Sequence, residues 1–140
     1  VDTLEGRGWT IDDLDLNAEG FQPVLTSAER RGYHDEPDNI GPVAPYVERV
    51  RAADAMVMVF PVWNFGYPAI LKGFLDRVCL PGVSVRLEGG KGRPSLDTRA
   101  VWHVCRPRKM RYLALYDMNR ATEAKRSGFL DRVSREMKVF

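Results

Sequence analysis

Trp63-Asn64-Phe65-Gly66-Tyr67 puts three aromatic rings and a glycine into one short stretch, between a run that reads as a strand and a run that reads as a helix. Rings on a loop are costly to leave in water unless they cover a flat partner. The loop's amide N–H groups can at the same time donate to polar atoms of that partner's ring. A planar aromatic cofactor satisfies both requirements. In open α/β sheets, the carboxyl end of a buried parallel strand is also where ligands bind. The plainer alternative has Trp63, Phe65 and Tyr67 capping the core or lying in a dimer interface, and composition does not choose between the two.

The flanking elements must position these residues. Ala55 to Val62 is a near-unbroken apolar run, the pattern of a strand buried on both faces in a parallel sheet. Pro68 fits the first helical position, where its missing N–H costs nothing. Ile70, Leu71, Phe74, Leu75 and Val78 then recur at helical spacing until Pro81-Gly82 stops the helix.

Upstream, Val1 to Arg7 reads as the tail of a helix closed by Gly6 or Gly8, and Trp9 to Leu16 as a strand polar enough to lie near an edge. Asn17 to Asn39 is loop-rich, with a short helix capped by Thr26 or Ser27. Pro42 to Ala53 gives an amphipathic helix with Val43, Tyr46, Val47 and Val50 on one face. Downstream, Val83 to Ser95 reads as a short extended piece and a flexible glycine-rich loop. Gly89, Gly90 and Gly92 lack the spacing of a dinucleotide fingerprint. Thr98 to Cys105 and Tyr112 to Asp117 read as two further buried strands. A final helix begins at Asn119 or Thr122, with Phe129, Leu130, Val133 and Met137 toward the core.

Other chemistry-bearing residues have blander readings. His34, Asp35, Glu36 and Asp38 crowd together, but neighbours on an extended loop point in different directions, so a solvated turn is expected and no metal. His103 reads as a hydrogen-bonded core residue. Arg106 to Arg111 is a basic run, either a solvated loop or a site for a nucleotide phosphate. Cys79 and Cys105 lack metal spacing and read as buried thiols of a reducing compartment rather than a disulfide.

Bulk properties set the class. The 140 residues suit one domain, 1–140, and 44% apolar content is ordinary for a globular chain. Lys and Arg number 21 against 19 Asp and Glu, so no global field points to nucleic acid or a membrane surface. No apolar run approaches the roughly 20 residues that span a bilayer. The first eight residues do not form a signal peptide, and a cytoplasmic location is the default.

Phe60-Pro-Val-Trp-Asn-Phe-Gly-Tyr-Pro-Ala-Ile-Leu-Lys-Gly-Phe-Leu-Asp-Arg-Val78 resembles the second flavin-contacting loop and following helix of the NAD(P)H quinone oxidoreductases. Asp15 to Thr26 is similar to that family's second strand and the irregular segment after it, and Ala52-Ala53-Asp54 matches just before the apolar run. The resemblance implies a flavodoxin-like α/β fold, a doubly wound parallel sheet with helices on both faces. It implies a bound flavin, FAD ahead of FMN, held by Pro61, Val62, Trp63, Asn64, Phe65 and Gly66. Trp63, Phe65 and Tyr67 would wall the pocket where NADH or NADPH and a quinone-like acceptor bind in turn. A homodimer completes such sites in the family. No side chain is assigned as general acid or base. Relatives carry tyrosines where this chain has Val85 and Leu87.

Two features of the family pattern find no match: an opening strand with its phosphate-binding turn before Trp9, and a Thr/Gly-rich third loop with a crossover helix. Six residues, Arg106 to Arg111, are too few to cross between parallel strands. Either those strands are antiparallel, or a first strand and one crossover lie outside the 140 residues. Two function classes therefore stand: a flavoenzyme passing hydride from a nicotinamide nucleotide to a two-electron acceptor, or a flavin-free regulatory or interaction protein on the same scaffold.

Overall fold

The structure, a computed structural model, describes residues 1–64, 66–88, 91–94, 113 and 121–138. The chain forms two compact units, 14–110 and the pair of terminal segments 1–13 with 111–140.

The larger unit begins with a turn built by Asp15. Its carboxylate accepts the amides of Asn17 (2.9 Å) and Ala18 (3.0 Å), and the Phe21 amide returns to the carbonyl of Leu16 (2.9 Å). Gly20 supplies the left-handed step, at φ +62°. The turn delivers Phe21 into the core, where its ring meets Tyr46 and Phe74 edge-on at 5.0 and 5.5 Å. Thr26 then caps helix α2 (Ser27–Arg31): its hydroxyl accepts the Glu29 amide at 3.2 Å while the Glu29 carboxylate accepts the Thr26 amide at 2.8 Å.

A 3₁₀ turn (Asp38–Val43) runs into helix α3 (Ala44–Ala52). Val43, Val47 and Val50 are buried and Tyr46 packs beside them, the face expected from helical spacing. Helix α4 (Ala69–Val78) buries Leu71, Phe74 and Val78, with Ile70 and Leu75 packed at the margin of the same cluster. Pro68 precedes the first helical residue rather than filling it. Gly82, at φ +81°, opens the turn 82–84 and donates its amide to the Val85 carbonyl at 2.8 Å.

Beyond α4, strands β1 (Val85–Glu88) and β2 (Lys91–Pro94) form an antiparallel hairpin in which Glu88 faces Lys91 and Val85 faces Pro94. This corrects the expectation of one extended piece and a flexible loop. The register Glu88↔Lys91 fits a sequence cue, since a Gly-Gly pair between two extended runs is a signal for a tight hairpin.

Ala55 to Val62 departs from expectation as well. It forms no strand ladder among the described residues, and it is not buried on both faces. Met56, Met58 and Phe60 are half-buried, whereas Val57 is 44% and Val59 92% exposed. Burial on both faces needs a packed layer on each side, and the described residues supply one, through Met56 against the core. Trp9 to Leu16 likewise forms no strand among the described residues.

In the smaller unit, helix α1 (Asp2–Glu5) ends at Gly6, with Gly8 following at φ +82°. Helix α5 (Glu123–Met137) is capped by Thr122, whose hydroxyl accepts the Lys125 amide at 3.3 Å. The two helices meet through the Thr3 and Ser134 hydroxyls, 2.9 Å apart. Leu130 does not face a core: it is 65% exposed, while Phe129, Val133 and Met137 are half-buried. Thr98 to Cys105, His103, the basic run 106–111 and Tyr112 to Asp117 lie outside the described residues, apart from Leu113.

Candidate functional site

The site region is a tight turn mounted between the extended segment and α4. The Trp63 amide donates to the Gly66 carbonyl at 3.1 Å and the Gly66 amide returns to the Trp63 carbonyl at 3.0 Å. The pair leaves two positions between its ends, and Asn64 takes the first. A two-residue turn closed by this reciprocal pair needs a left-handed residue at its tip, and Asn64 supplies it at φ +47°. The positive φ of the turn thus falls on Asn64 and not on Gly66. A Cβ at Gly66 would meet only the Trp63 carbonyl oxygen, at 4.0 Å.

The expected residues sort into those that face outward and those that brace the turn. Pro61, Val62, Trp63, Asn64 and Gly66 are all exposed, Val62 by 53% and Trp63 by 63%. Tyr67 is half-buried, its ring packed edge-on against Phe60 at 5.1 Å, so it joins the end of the extended segment to the start of α4. Phe65 lies outside the described residues. The Trp63 and Gly66 amides are used within the turn. Those of Val62 and Asn64 have no partner among the described residues.

An exposed indole, an exposed valine and two amide donors two residues apart are what the flat face and polar edge of a heteroaromatic ring require. The stretch from Phe60 to Tyr67 holds no carboxylate, imidazole or ammonium group. The turn can therefore bind and orient a planar ring, but it offers no acid or base of its own in the physiological range.

Behind it, α4 is anchored by residues that sequence reasoning did not single out. Arg77 lies against the Phe21 ring, 5.5 Å from guanidinium carbon to centroid, and pairs with Glu29, Nε to Oε1 at 3.1 Å. It also donates to the Gln22 carbonyl oxygen. Both side chains of the pair are nearly buried, Arg77 11% and Glu29 12% exposed. Burial pushes the Glu29 carboxyl up. The hydrogen bonds from Thr26, together with the Arg77 guanidinium, more than reverse this and leave it below its ordinary value. Gly73 lets the Pro23 backbone lie directly on the helix, where a Cβ would stand 2.2 Å from the Pro23 carbonyl oxygen. The Thr26-x-x-Glu29 spacing was a legible cue to the cap, but the long-range partner of Glu29 left no local mark.

Residues 1–122 match the protein family described as flavodoxin-like fold. The chain belongs to the flavodoxin-like fold family. Among relatives of this flavodoxin-like chain, NAD(P)H dehydrogenase (quinone) 1 of Rattus norvegicus is 30% identical over 98 residues, covering 59% of this chain and 36% of the relative. An uncharacterized NAD(P)H oxidoreductase of Haemophilus influenzae is 34% identical over 87 residues, 61% of this chain and 42% of the relative. An FMN-dependent NADH:quinone oxidoreductase of Mycoplasmoides gallisepticum is 30% identical over 67 residues, 48% of this chain and 32% of the relative. The chain spans less than half the length of these curated relatives. The crystal structure of Smu.1420 from Streptococcus mutans UA159 superposes with a TM-score of 0.73 at 23% identity, covering 99% of this chain and 89% of that one, a likeness of fold. The flavodoxin-like fold that the resemblance of Phe60 to Val78 implies is the one found.

Proposed function

We propose that this chain belongs to a flavin-dependent oxidoreductase that takes hydride from NADH or NADPH and delivers it to a quinone or similar two-electron acceptor. The observation that carries the reading is the exposed turn Trp63 to Gly66, its conformation fixed by Asn64 and its two ends tied by reciprocal hydrogen bonds. The names of relatives, NAD(P)H dehydrogenase (quinone) and NADH:quinone oxidoreductase, support it.

A bound flavin would supply the hydride-accepting and hydride-donating chemistry. The chain's own part is positional. Pro61, Val62, Trp63, Asn64, Phe65 and Gly66 would hold the ring, with the Val62 and Asn64 amides donating to its polar edge. Trp63, Phe65 and Tyr67 would form the wall against which nicotinamide and acceptor stack in turn, holding reacting atoms in line. A single shared pocket gives ping-pong turnover. FAD is the first expectation from sequence, while the one flavin named among the relatives above is FMN, so both enter the titration.

The purified protein should be yellow and should release flavin on denaturation. A colourless preparation that takes up neither FAD nor FMN would remove the enzyme reading in favour of a flavin-free interaction protein. The reading also includes a homodimer, because Val62 and Trp63 stand exposed next to each other on the turn and the resemblance of Phe60 to Val78 implies a site completed across a two-fold axis. Light scattering at micromolar concentration should give twice the chain mass. A monomer that still turns over quinone would contradict the shared site.

A further inference from the structure

Phe60 and Tyr67 stand on either side of the turn, one on the chain entering it and one on the chain leaving it. Both are half-buried, and their rings pack edge-on, centroids 5.1 Å apart and planes at 72°. The two sides differ in what holds them. On the leaving side, Pro68 is buried and its carbonyl accepts the Lys72 amide at 3.0 Å, which ties it to the first turn of α4. Leu71 and Phe74 anchor that helix by burial. Proline also confines the residue before it to extended backbone, so Tyr67 is held relative to the helix. On the entering side, Val57 and Val59 are exposed, and burial at those positions fixes little. The Phe60–Tyr67 contact therefore joins the less buried side to the anchored one. The reciprocal Trp63–Gly66 hydrogen bonds set the shape of the turn, but not where it stands on the helix. Aromatic pairs prefer an edge-to-face or offset arrangement, so Phe60 also favours one plane for the Tyr67 ring.

We infer that Phe60 is a positioning residue for the ring site, acting through Tyr67 to fix both the stance of the turn Trp63 to Gly66 and the plane of the Tyr67 ring. The inference rests on the flavin reading above and adds to it a residue that need touch neither flavin nor substrate.

Titration of the purified protein with FMN and with FAD is the first measurement. Phe60→Leu keeps an apolar side chain but removes the ring edge. It should weaken binding of whichever flavin the wild type takes up by about threefold to tenfold, the scale of one aromatic pair. Phe60→Tyr keeps the ring and should restore the affinity. In a Tyr67→Leu background, Phe60→Leu should cost nothing further, because its route to the ring is already gone. A loss of the same size in that background would show that Phe60 acts by another route and would overturn the inference. Amide hydrogen exchange in the flavin-free protein gives a reading that needs no ligand. Phe60→Leu should speed exchange of the Trp63 and Gly66 amides and leave that of Lys72 unchanged. Equal acceleration of all three would mark a general loss of stability and would overturn the positioning role. A wild type that binds flavin beside a Phe60→Leu variant that binds it equally well would overturn the inference and leave the flavin reading standing. A wild type that takes up neither flavin would remove both.

Discussion

A Cβ added at Gly73 would meet the backbone of Pro23, its carbonyl oxygen at 2.2 Å and its Cα at 2.6 Å, whereas one added at Gly66 has room. The two glycines therefore separate folding from binding. At Gly73, helix propensity favours alanine by about 1 kcal/mol, but the clash is with main chain that cannot rotate away. Overpacking of this kind costs about 1–3 kcal/mol or more, so Gly73→Ala should lower the urea midpoint; an unchanged or raised midpoint would show that Pro23 moves freely. Gly66→Val should leave the midpoint near wild type while weakening flavin binding about tenfold or more, since a β-branched side chain would stand where a ring must approach the turn. Wild-type flavin affinity in that variant would displace the ring from this turn. Sequence alone marked Gly66 as special because it lies between an aromatic loop and Pro68. It could not mark Gly73, because the demand there comes from a segment fifty residues earlier, nor Asn64, because asparagine's tolerance of positive φ becomes visible only once the turn closes on itself.

Helices α3 and α4 were legible as elements because Val43, Val47 and Val50, and Leu71, Phe74 and Val78, carry the 3.6-residue period that burial imposes. The strand pattern was less secure: an apolar run such as Ala55 to Val62 records what could be buried, and burial depends on partners that the run does not specify. The hairpin has a local cue in Gly89-Gly90, but with Gly92 close behind the same stretch also reads as a glycine-rich loop. What ties α2 to α4 is the Glu29–Arg77 pair, and it gives the element scale its prediction. Removing one partner of a largely buried pair strands the other, a loss of about 3–5 kcal/mol. Arg77→Met should show a loss of that order by urea unfolding, and Glu29→Leu combined with Arg77→Met should cost less than Arg77→Met alone. A single variant within 1 kcal/mol of wild type would show that the pair behaves as a surface bridge. Because the Glu29 carboxyl is held below its ordinary value, its contribution is complete above the ordinary glutamate pKa. It is lost as pH falls through the lowered one. Glu29→Gln should therefore flatten the acid limb of the stability profile, and an unchanged limb would assign the acid sensitivity elsewhere.

Among the described residues, buried apolar side chains are unevenly shared between the two units. Phe21, Val43, Val47, Val50, Phe74, Val78, Leu80 and Val83 form one cluster within 14–110. In the terminal segments the described residues include one buried hydrophobic side chain, Ala121, and none on α5 itself. Elements with few buried apolar contacts open at low free energy, while those in a shared core exchange only near global unfolding. The periodic Phe129, Leu130, Val133 and Met137 suggested a core face for α5, because a period identifies the stripe that could be buried and not how much covers it. With Leu130 65% exposed and the Thr3–Ser134 hydroxyl pair joining α5 to the four-residue α1, the helix has little holding it by burial. Native-state hydrogen exchange should show α5 amides exchanging faster than those of α3 and α4 by a factor of about ten or more, equivalent to about 1.4 kcal/mol. Denaturant at sub-unfolding concentrations should accelerate the core helices and change α5 less, since local opening exposes little new surface. Equal protection in all three helices would show that the two units open as one, with burial on α5 beyond what its described contacts provide.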